Sequence, residues 1–108
     1  MKAGSLKRRI VIERRESGQS ANGEPLQVWV EHDRVWANIR NLNGREFAAA
    51  GAELSKITTS IRIRRRRDLT AAMRIVHGAD IYNIEAVLPD EDKHEFVDLA
   101  CSTGANAG

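Results

Sequence analysis

The chain has 108 residues, of which 42% are hydrophobic and 5% aromatic, and its 17 basic and 15 acidic residues give a formal net charge of +2. This length suits a single domain, and the hydrophobic fraction excludes a compositionally disordered chain. With charges this nearly balanced, net charge alone does not argue for binding to nucleic acid. The apolar runs are far shorter than the roughly 20 residues that cross a bilayer, so we expect no contact with membranes.

Hydrophobic residues recur with a period of two along most of the chain, which is typical of half-buried β-strands. The first strand is predicted at residues 6–15. A polar loop at residues 17–25 follows it, with Asn-Gly and Pro as turn residues. Two further strands are predicted at residues 26–30 and 34–42, with His32 near the turn between them.

The clearest alternation lies at residues 57–65. The side chains on one face of this predicted strand are nearly all isoleucines, whereas those on the other face are polar. The residues of the apolar face are Ile57, Thr59, Ile61 and Ile63. Because β-branched side chains favour strands, composition and periodicity agree here.

The C-terminal part of the chain predicts a hairpin with strands at residues 72–77 and 80–88, and a last strand at residues 94–101. The second strand of the hairpin is predicted to present one face made of Tyr82, Ile84, Ala86 and Leu88. A small polar tail at residues 102–108 is predicted to be flexible. The predicted core contains Ile10, Ile12, Ile61, Ile63, Ile75, Ile84 and Leu99.

Residues 43–56 break the alternating pattern. Their alanines allow a short helix, but Gly51 would destabilise it by about 1 kcal/mol relative to alanine, and little apolar surface is available to hold the segment down. We therefore predict a long mobile loop, with a short helix as the alternative. The whole chain is predicted to be all-β, a small single-domain β-barrel or sandwich with an ordered body at about residues 5–101.

No constellation of residues predicts catalysis, a cofactor or a metal site. His32, His77 and His94 are scattered near turns, whereas a metal site usually needs three or four convergent ligands. Cys101 is the single cysteine; it can form no disulfide within the chain, so we expect production in a reducing cytoplasm. No leader with a cleavage site is evident. The sequence therefore predicts a protein that is not an enzyme.

An arginine-rich stretch is the strongest candidate for contact with nucleic acid. Its members are Arg62, Arg64, Arg65, Arg66 and Arg67. Clustered guanidinium groups neutralise phosphates, but a solvated strand end next to acidic residues is the favoured interpretation at this net charge. The aromatic residues are spread over five segments, which favours core or interface packing over a base-stacking platform. A small nucleic-acid-binding β-barrel remains the alternative function.

Several short motifs occur in an order that resembles the head-tail joining, or head-closure, proteins of tailed bacteriophages. The motifs are Arg9-Ile10-Val11-Ile12, Trp36-Ala37-Asn38-Ile39, Leu42-Asn43-Gly44-Arg45-Glu46, Ile61-Arg62-Ile63-Arg64 and Tyr82-Asn83-Ile84. The resemblance covers roughly residues 3–101. It implies a small β-barrel that assembles as a ring, usually of twelve copies, and that is a monomer when isolated.

The resemblance also implies where such a ring works. It would sit in the virion neck beneath the portal, after assembly in the host bacterial cytoplasm, and close the head once DNA is packaged. Its partners would be a portal or adaptor ring on the head side and a tail-completion or tail-tube protein on the tail side, with only transient contact with packaged DNA. The residues that we expect at the subunit or partner interface are Arg45, Glu46, Phe47 and Leu54. Aromatic and arginine side chains are the usual anchors of such interfaces.

Overall fold

A computed structural model of the protein describes residues 6–42, 57–90 and 93–103. Within these residues the chain forms six antiparallel strands: β1 (Arg8–Gln19), β2 (Pro25–Asn41), β3 (Thr59–Arg64), β4 (Arg74–His77), β5 (Asp80–Pro89) and β6 (Phe96–Thr103). A search of the same residues finds no helix of the length and apolar character needed to cross a membrane.

The six strands close into a barrel in the order β1-β2-β3-β6-β5-β4. Strands that follow each other in sequence pair with each other, except β3 and β4. Instead, β3 pairs with β6, and β4 closes the barrel against β1, where Ile75 pairs with Ile12. Closure leaves the barrel itself without an unpaired edge. The prediction of an all-β fold is confirmed, and of the two predicted architectures the barrel is the one that forms.

The interior of the barrel is aliphatic. All seven residues predicted for the core are at most 2% exposed, namely Ile10, Ile12, Ile61, Ile63, Ile75, Ile84 and Leu99. Ile57 and Thr59 are also buried, so the predicted apolar face of the central strand is confirmed. Where a strand is regular, alternation sends every second side chain inward.

The prediction of two separate strands at residues 26–30 and 34–42 is wrong, because β2 is one continuous strand. The pairing of β1 with β2 shifts between Ile12 and Glu13: Ile12 pairs with Asp33, whereas Glu13 pairs with Glu31. His32 is therefore the extra residue of a β-bulge, which bends a strand without ending it. The polar His-Asp pair marks this bulge and not a turn.

A second bulge corrects the predicted face of β5. Ile84 pairs with Cys101 and Ala86 pairs with Ala100, which leaves Glu85 as the extra residue. One additional residue reverses the alternation that follows it. Val87 consequently packs against the core, and Leu88, predicted to share a face with Ile84, is 52% exposed.

The C-terminal boundary also differs from the prediction. Strand β6 continues to Thr103, and Ser102 donates a hydrogen bond from its hydroxyl to the Glu85 carboxylate at 2.6 Å. These contacts place the first two residues of the predicted tail in the sheet. The remainder of that tail and residues 43–56, for which a loop or a short helix was predicted, lie outside the described residues.

The first hairpin extends well beyond the barrel. β4 pairs with β1 only as far as Glu13, and β3 pairs with β2 only from Ala37 onward. Residues 14–19 and 25–30 therefore pair only with each other within the described chain and form a two-stranded ribbon, which we call the arm. Its six residue pairs reach roughly 20 Å at a rise near 3.3 Å per residue.

The tip of the arm is a well-bonded turn. The amide nitrogen of Ser20 donates to the Glu24 carbonyl at 2.8 Å, and that of Gly23 donates to the Ser20 carbonyl at 2.9 Å. The Ser20 hydroxyl accepts from the amides of Asn22 and Glu24. Gly23 has a φ of 81°, a backbone conformation that side-chain-bearing residues rarely adopt. The predicted Asn-Gly turn is thus present, but the predicted loop at residues 17–25 is shorter than expected, because residues 17–19 belong to β1 and Pro25 begins β2.

Candidate assembly interface

Arg62 is neutralised by a carboxylate on the outer surface of the barrel. Strand pairing sets Arg62 of β3 directly opposite Asp98 of β6. The Arg62 Nε and Nη2 donate to the two Asp98 oxygens at 2.6 and 2.7 Å, and the guanidinium lies 5.6 Å from the centre of the Phe96 ring. This hydrogen bonding to Asp98 raises the pKa of Arg62. Arg62 is therefore occupied within its own chain.

Arg66 is neutralised by two carboxylates where the arm meets the barrel. It donates from Nε to Asp68 at 2.6 Å and from Nη1 to Asp33 at 2.7 Å. Asp68 also bonds His32 at 2.6 Å, and His32 contacts Arg14 at 3.3 Å. The hydrogen bonds from Arg66 hold the pKa of Asp68 and of Asp33 below the ordinary range. This cluster holds the base of the arm in place, and its two carboxylates neutralise the charge of Arg66.

The remaining arginines of the stretch keep their charge available. Arg65 contacts Nδ1 of His94 at 3.1 Å, and its amide pairs with the Glu95 carbonyl. Arg64 and Arg67 are exposed, and neither makes an ion pair with the part of the chain that the structure describes. The five arginines predicted together therefore do not form one surface: Arg62 and Arg66 are paired with carboxylates, Arg65 is half-buried, and Arg64 and Arg67 are exposed.

A cavity of about 420 Å³ opens beside these free arginines. It lies where β2 and β3 diverge after the pair Ala37–Ile63. Its lining is Leu6, Val35, Trp36, Arg64, Arg65 and Arg66. Trp36 is 52% exposed, which is uncommon for so large an apolar side chain. We call this site the Trp36 pocket; it combines an apolar wall with positive charge.

Both tryptophans stack against arginines, a feature that the sequence did not reveal. The Arg9 guanidinium lies 5.2 Å from the Trp36 ring centre. Trp29 lies between Arg15 and Arg74, at 4.8 and 4.2 Å. Arg9 and Arg15 face their tryptophans across β1 and β2, so strand register brings together residues that lie far apart in the chain. A prediction of the register between β1 and β2 would have revealed the two cation–π contacts of Arg9 and Arg15.

The other aromatic residues serve the interior. Tyr82 and Phe96 are buried, as the interpretation of core packing predicted. Phe47 lies outside the described residues, together with the other predicted interface residues, Arg45, Glu46 and Leu54. Of the residues singled out from the sequence, only the arginine stretch can therefore be located, and the interface prediction stays a prediction.

The described residues offer little for chemistry. No group of three or more His, Cys, Asp or Glu side chains is arranged there to hold a metal ion. Cys101 is fully buried, and burial raises the pKa of its thiol to about 12, so the thiolate that reactions need is suppressed. The arrangement is suited to binding through shape and charge.

Comparisons with known proteins agree with this picture. The family model described as "Phage head completion protein" matches residues 1–104. The "Head completion protein gp7" of Enterobacteria phage HK97 is 24% identical over 110 residues, which cover 97% of this chain and 98% of that protein.

Two solved structures share the fold. The solution structure of protein SF1141 from Shigella flexneri 2a has a TM-score of 0.82 at 30% identity and covers 98% of this chain and 99% of that one. A chain of the virion of a native gene transfer agent particle has a TM-score of 0.61 at 19% identity, covering 92% and 96%. The matched family model and the closed barrel lead to one conclusion: this chain belongs to the phage head completion protein family, whose members are structural proteins of the phage head.

Proposed function

We propose that this protein assembles as a ring beneath the portal, closes the DNA-filled head and provides the surface on which the tail docks. The observation that carries the proposal is the presence of two unlike surfaces on one subunit: the projecting arm, and the Trp36 pocket with its free arginines. Unlike surfaces that bind each other make head-to-tail contacts, which close into rings when the rotation between copies allows.

The segment at residues 43–56 is proposed to add further contacts in that ring. Phe47 is a large aromatic on a polar stretch, next to Arg45 and Glu46. Aromatic and arginine side chains anchor interfaces when their neighbours exclude water. We propose that Phe47 and Leu54 fill apolar sites on an adjacent subunit or ring, while the two charged residues set the register.

The proposed partners follow from this position in the particle. Further copies of the chain, twelve in the usual arrangement, form the ring during assembly in the host cytoplasm. A portal or adaptor ring contacts the head side, and a tail-completion or tail-tube protein contacts the tail side. Contact with DNA is transient, because a channel that binds its cargo tightly would hinder its release.

The test is removal of the gene from the phage or prophage that encodes the chain, followed by induction and electron microscopy of the lysate. Free tails and unjoined heads that lose their DNA are the expected products, and added purified protein should restore complete particles. An Ile61→Asp variant, which cannot fold around a charge in an aliphatic core, is the negative control. Complete particles in the absence of the gene would overturn the proposal.

A further inference from the structure

The arm exposes two aliphatic side chains that the barrel does not use. Leu26 and Val28 are 43% and 38% exposed, and alternation places them on the same face of β2. Leu26 pairs with Gly18 across the arm, and glycine has no side chain to cover it. Glu24 immediately precedes β2, two positions before Leu26, and its carboxylate makes no ion pair with the described residues. The arm thus carries two aliphatic side chains followed by one free negative charge.

The Trp36 pocket offers groups that complement those of the arm, namely an apolar wall and positive charge. Val35 and the exposed ring of Trp36 form its apolar part, and Arg64 and Arg65 supply positive charge beside them. Arg66, the third arginine of the lining, is already neutralised by Asp33 and Asp68. An occupant with an aliphatic patch and a nearby carboxylate would cover the tryptophan and pair the free guanidinium groups.

The arm cannot reach the pocket of its own subunit. Leu26 and Trp36 belong to the same strand and are ten residues apart, roughly 30 Å for extended backbone. The base of the arm is also held in place: Arg74 donates to Glu13 at 2.7 Å and stacks on Trp29. A ribbon braced in this way and closed by a hydrogen-bonded turn does not fold back, so contact between the two surfaces requires two molecules.

We infer that the arm of each copy docks in the Trp36 pocket of the neighbouring copy, with Leu26 and Val28 against Trp36 and with Glu24 beside Arg64 and Arg65. The inference rests on the proposed function, because the ring is the assembly in which each subunit uses both surfaces at once. The arm is ordered before docking, so the contact costs little conformational entropy.

Disulfide cross-linking within the particle is the test. The native Cys101 is fully buried, so the engineered cysteines are the thiols exposed to the oxidant in the folded protein. A double variant, Glu24→Cys with Arg64→Cys, is incorporated into particles, oxidised mildly and separated under denaturing, non-reducing conditions. We expect a ladder of covalent oligomers. The matched control, Glu24→Cys with the exposed Asp80→Cys, should give none.

A charge exchange gives a second, independent readout. Arg64→Glu should reduce incorporation of the protein into particles by about tenfold, since it places like charges together, and adding Glu24→Arg in the same chain should restore most of it. Particles that contain the protein but give no ladder above the control, or an exchange variant that stays as defective as Arg64→Glu, would overturn the arm contact alone. Particles that are complete without the protein would overturn the proposed function, and the ring contact with it.

Discussion

Arg62 and Asp98 bind each other through two hydrogen bonds, at 2.6 and 2.7 Å, across the pair of strands β3 and β6. Both side chains are about 70% buried, with 27% and 31% of their surfaces exposed. A two-pronged arginine–carboxylate contact of this kind is stronger than an ordinary surface ion pair. It also explains why β6, which is buried along most of its length, tolerates a charged residue at its centre.

The first prediction concerns the energy of that contact. A double-mutant cycle with Arg62→Ala and Asp98→Ala should give a coupling energy of about 1 kcal/mol, measured by urea unfolding. The matched control is the pair Arg34 and Glu31, whose side chains are 56% and 49% exposed; its coupling should be close to zero. Equal coupling energies for the two pairs would show that burial adds nothing to the Arg62 contact.

The second prediction concerns the core. Ile61 is fully buried, as predicted, whereas Leu88, predicted to share a face with the buried Ile84, is 52% exposed. Ile61→Ala should lower the free energy of unfolding by about 2–5 kcal/mol, because it removes apolar contacts and leaves a cavity. Leu88→Ala should change it by less than about 0.5 kcal/mol. Thermal unfolding of both variants checks the bulge in β5, since comparable losses would mean that Leu88 packs inside after all.

The contrast between Ile61 and Leu88 shows what periodicity could and could not predict. Alternation identifies inward residues wherever a strand is regular, as it is around Ile61 and Ile10. A bulge adds one residue without a distinctive composition, so the reversal after Glu85 and the continuity of β2 through His32 left no clear trace in the sequence. Regular stretches of a strand are therefore predicted better than the bulges that interrupt them.

The candidate site illustrates a second limit. An arginine run is visible in a sequence, but the state of each arginine depends on partners brought close by folding. Arg66 is neutralised by Asp33, 33 positions away, whereas Arg64, two positions before Arg66, has no carboxylate partner among the described residues. The Arg9–Trp36 stack likewise depends on the register of β1 against β2. Local composition predicted the charge of this region, and only tertiary pairing decides which charges remain free.

The third prediction concerns the reactivity of Cys101. Burial raises the pKa of its thiol from 9.0 to about 12, so the native protein should not react with a thiol reagent at pH 8. The same protein should react fully in denaturant. Because the raised pKa favours the protonated thiol in the folded state, its contribution to stability should fall as the pH rises from about 9 towards 12. An Asp80→Cys variant, which adds an exposed thiol, should label at once. Rapid labelling of native wild-type protein would contradict the buried position.

The fourth prediction concerns acid stability. Hydrogen bonds from Arg66 and His32 lower the pKa of Asp68 below its ordinary value of 3.8. A lowered pKa stabilises the fold above the unfolded value, and this contribution is lost as the pH falls from about 4 through the folded-state pKa. Asp68→Asn should therefore lower the melting temperature relative to wild type at pH 7, and this difference should be smaller at pH 2–3. The expected shift is small because Asp68 is 44% exposed. If the difference in melting temperature between the two proteins is the same at pH 7 and at pH 2–3, the titration of Asp68 does not contribute to stability.

The last prediction concerns double-stranded DNA. Asp98, Asp33 and Asp68 already occupy Arg62 and Arg66, which leaves at most Arg64, Arg65 and Arg67 of the stretch to contact phosphates. Three contacts give a slope of about −2.7 for the logarithm of the association constant against the logarithm of salt concentration. Fluorescence titration should accordingly show weak binding that disappears near physiological salt. Arg67→Ala should reduce the magnitude of the slope by about one unit, whereas Asn22→Ala at the distant tip of the arm should leave it unchanged. Sub-micromolar affinity at physiological salt would instead favour a nucleic-acid-binding barrel, because binding of that strength requires more than three free cations at one end of a barrel.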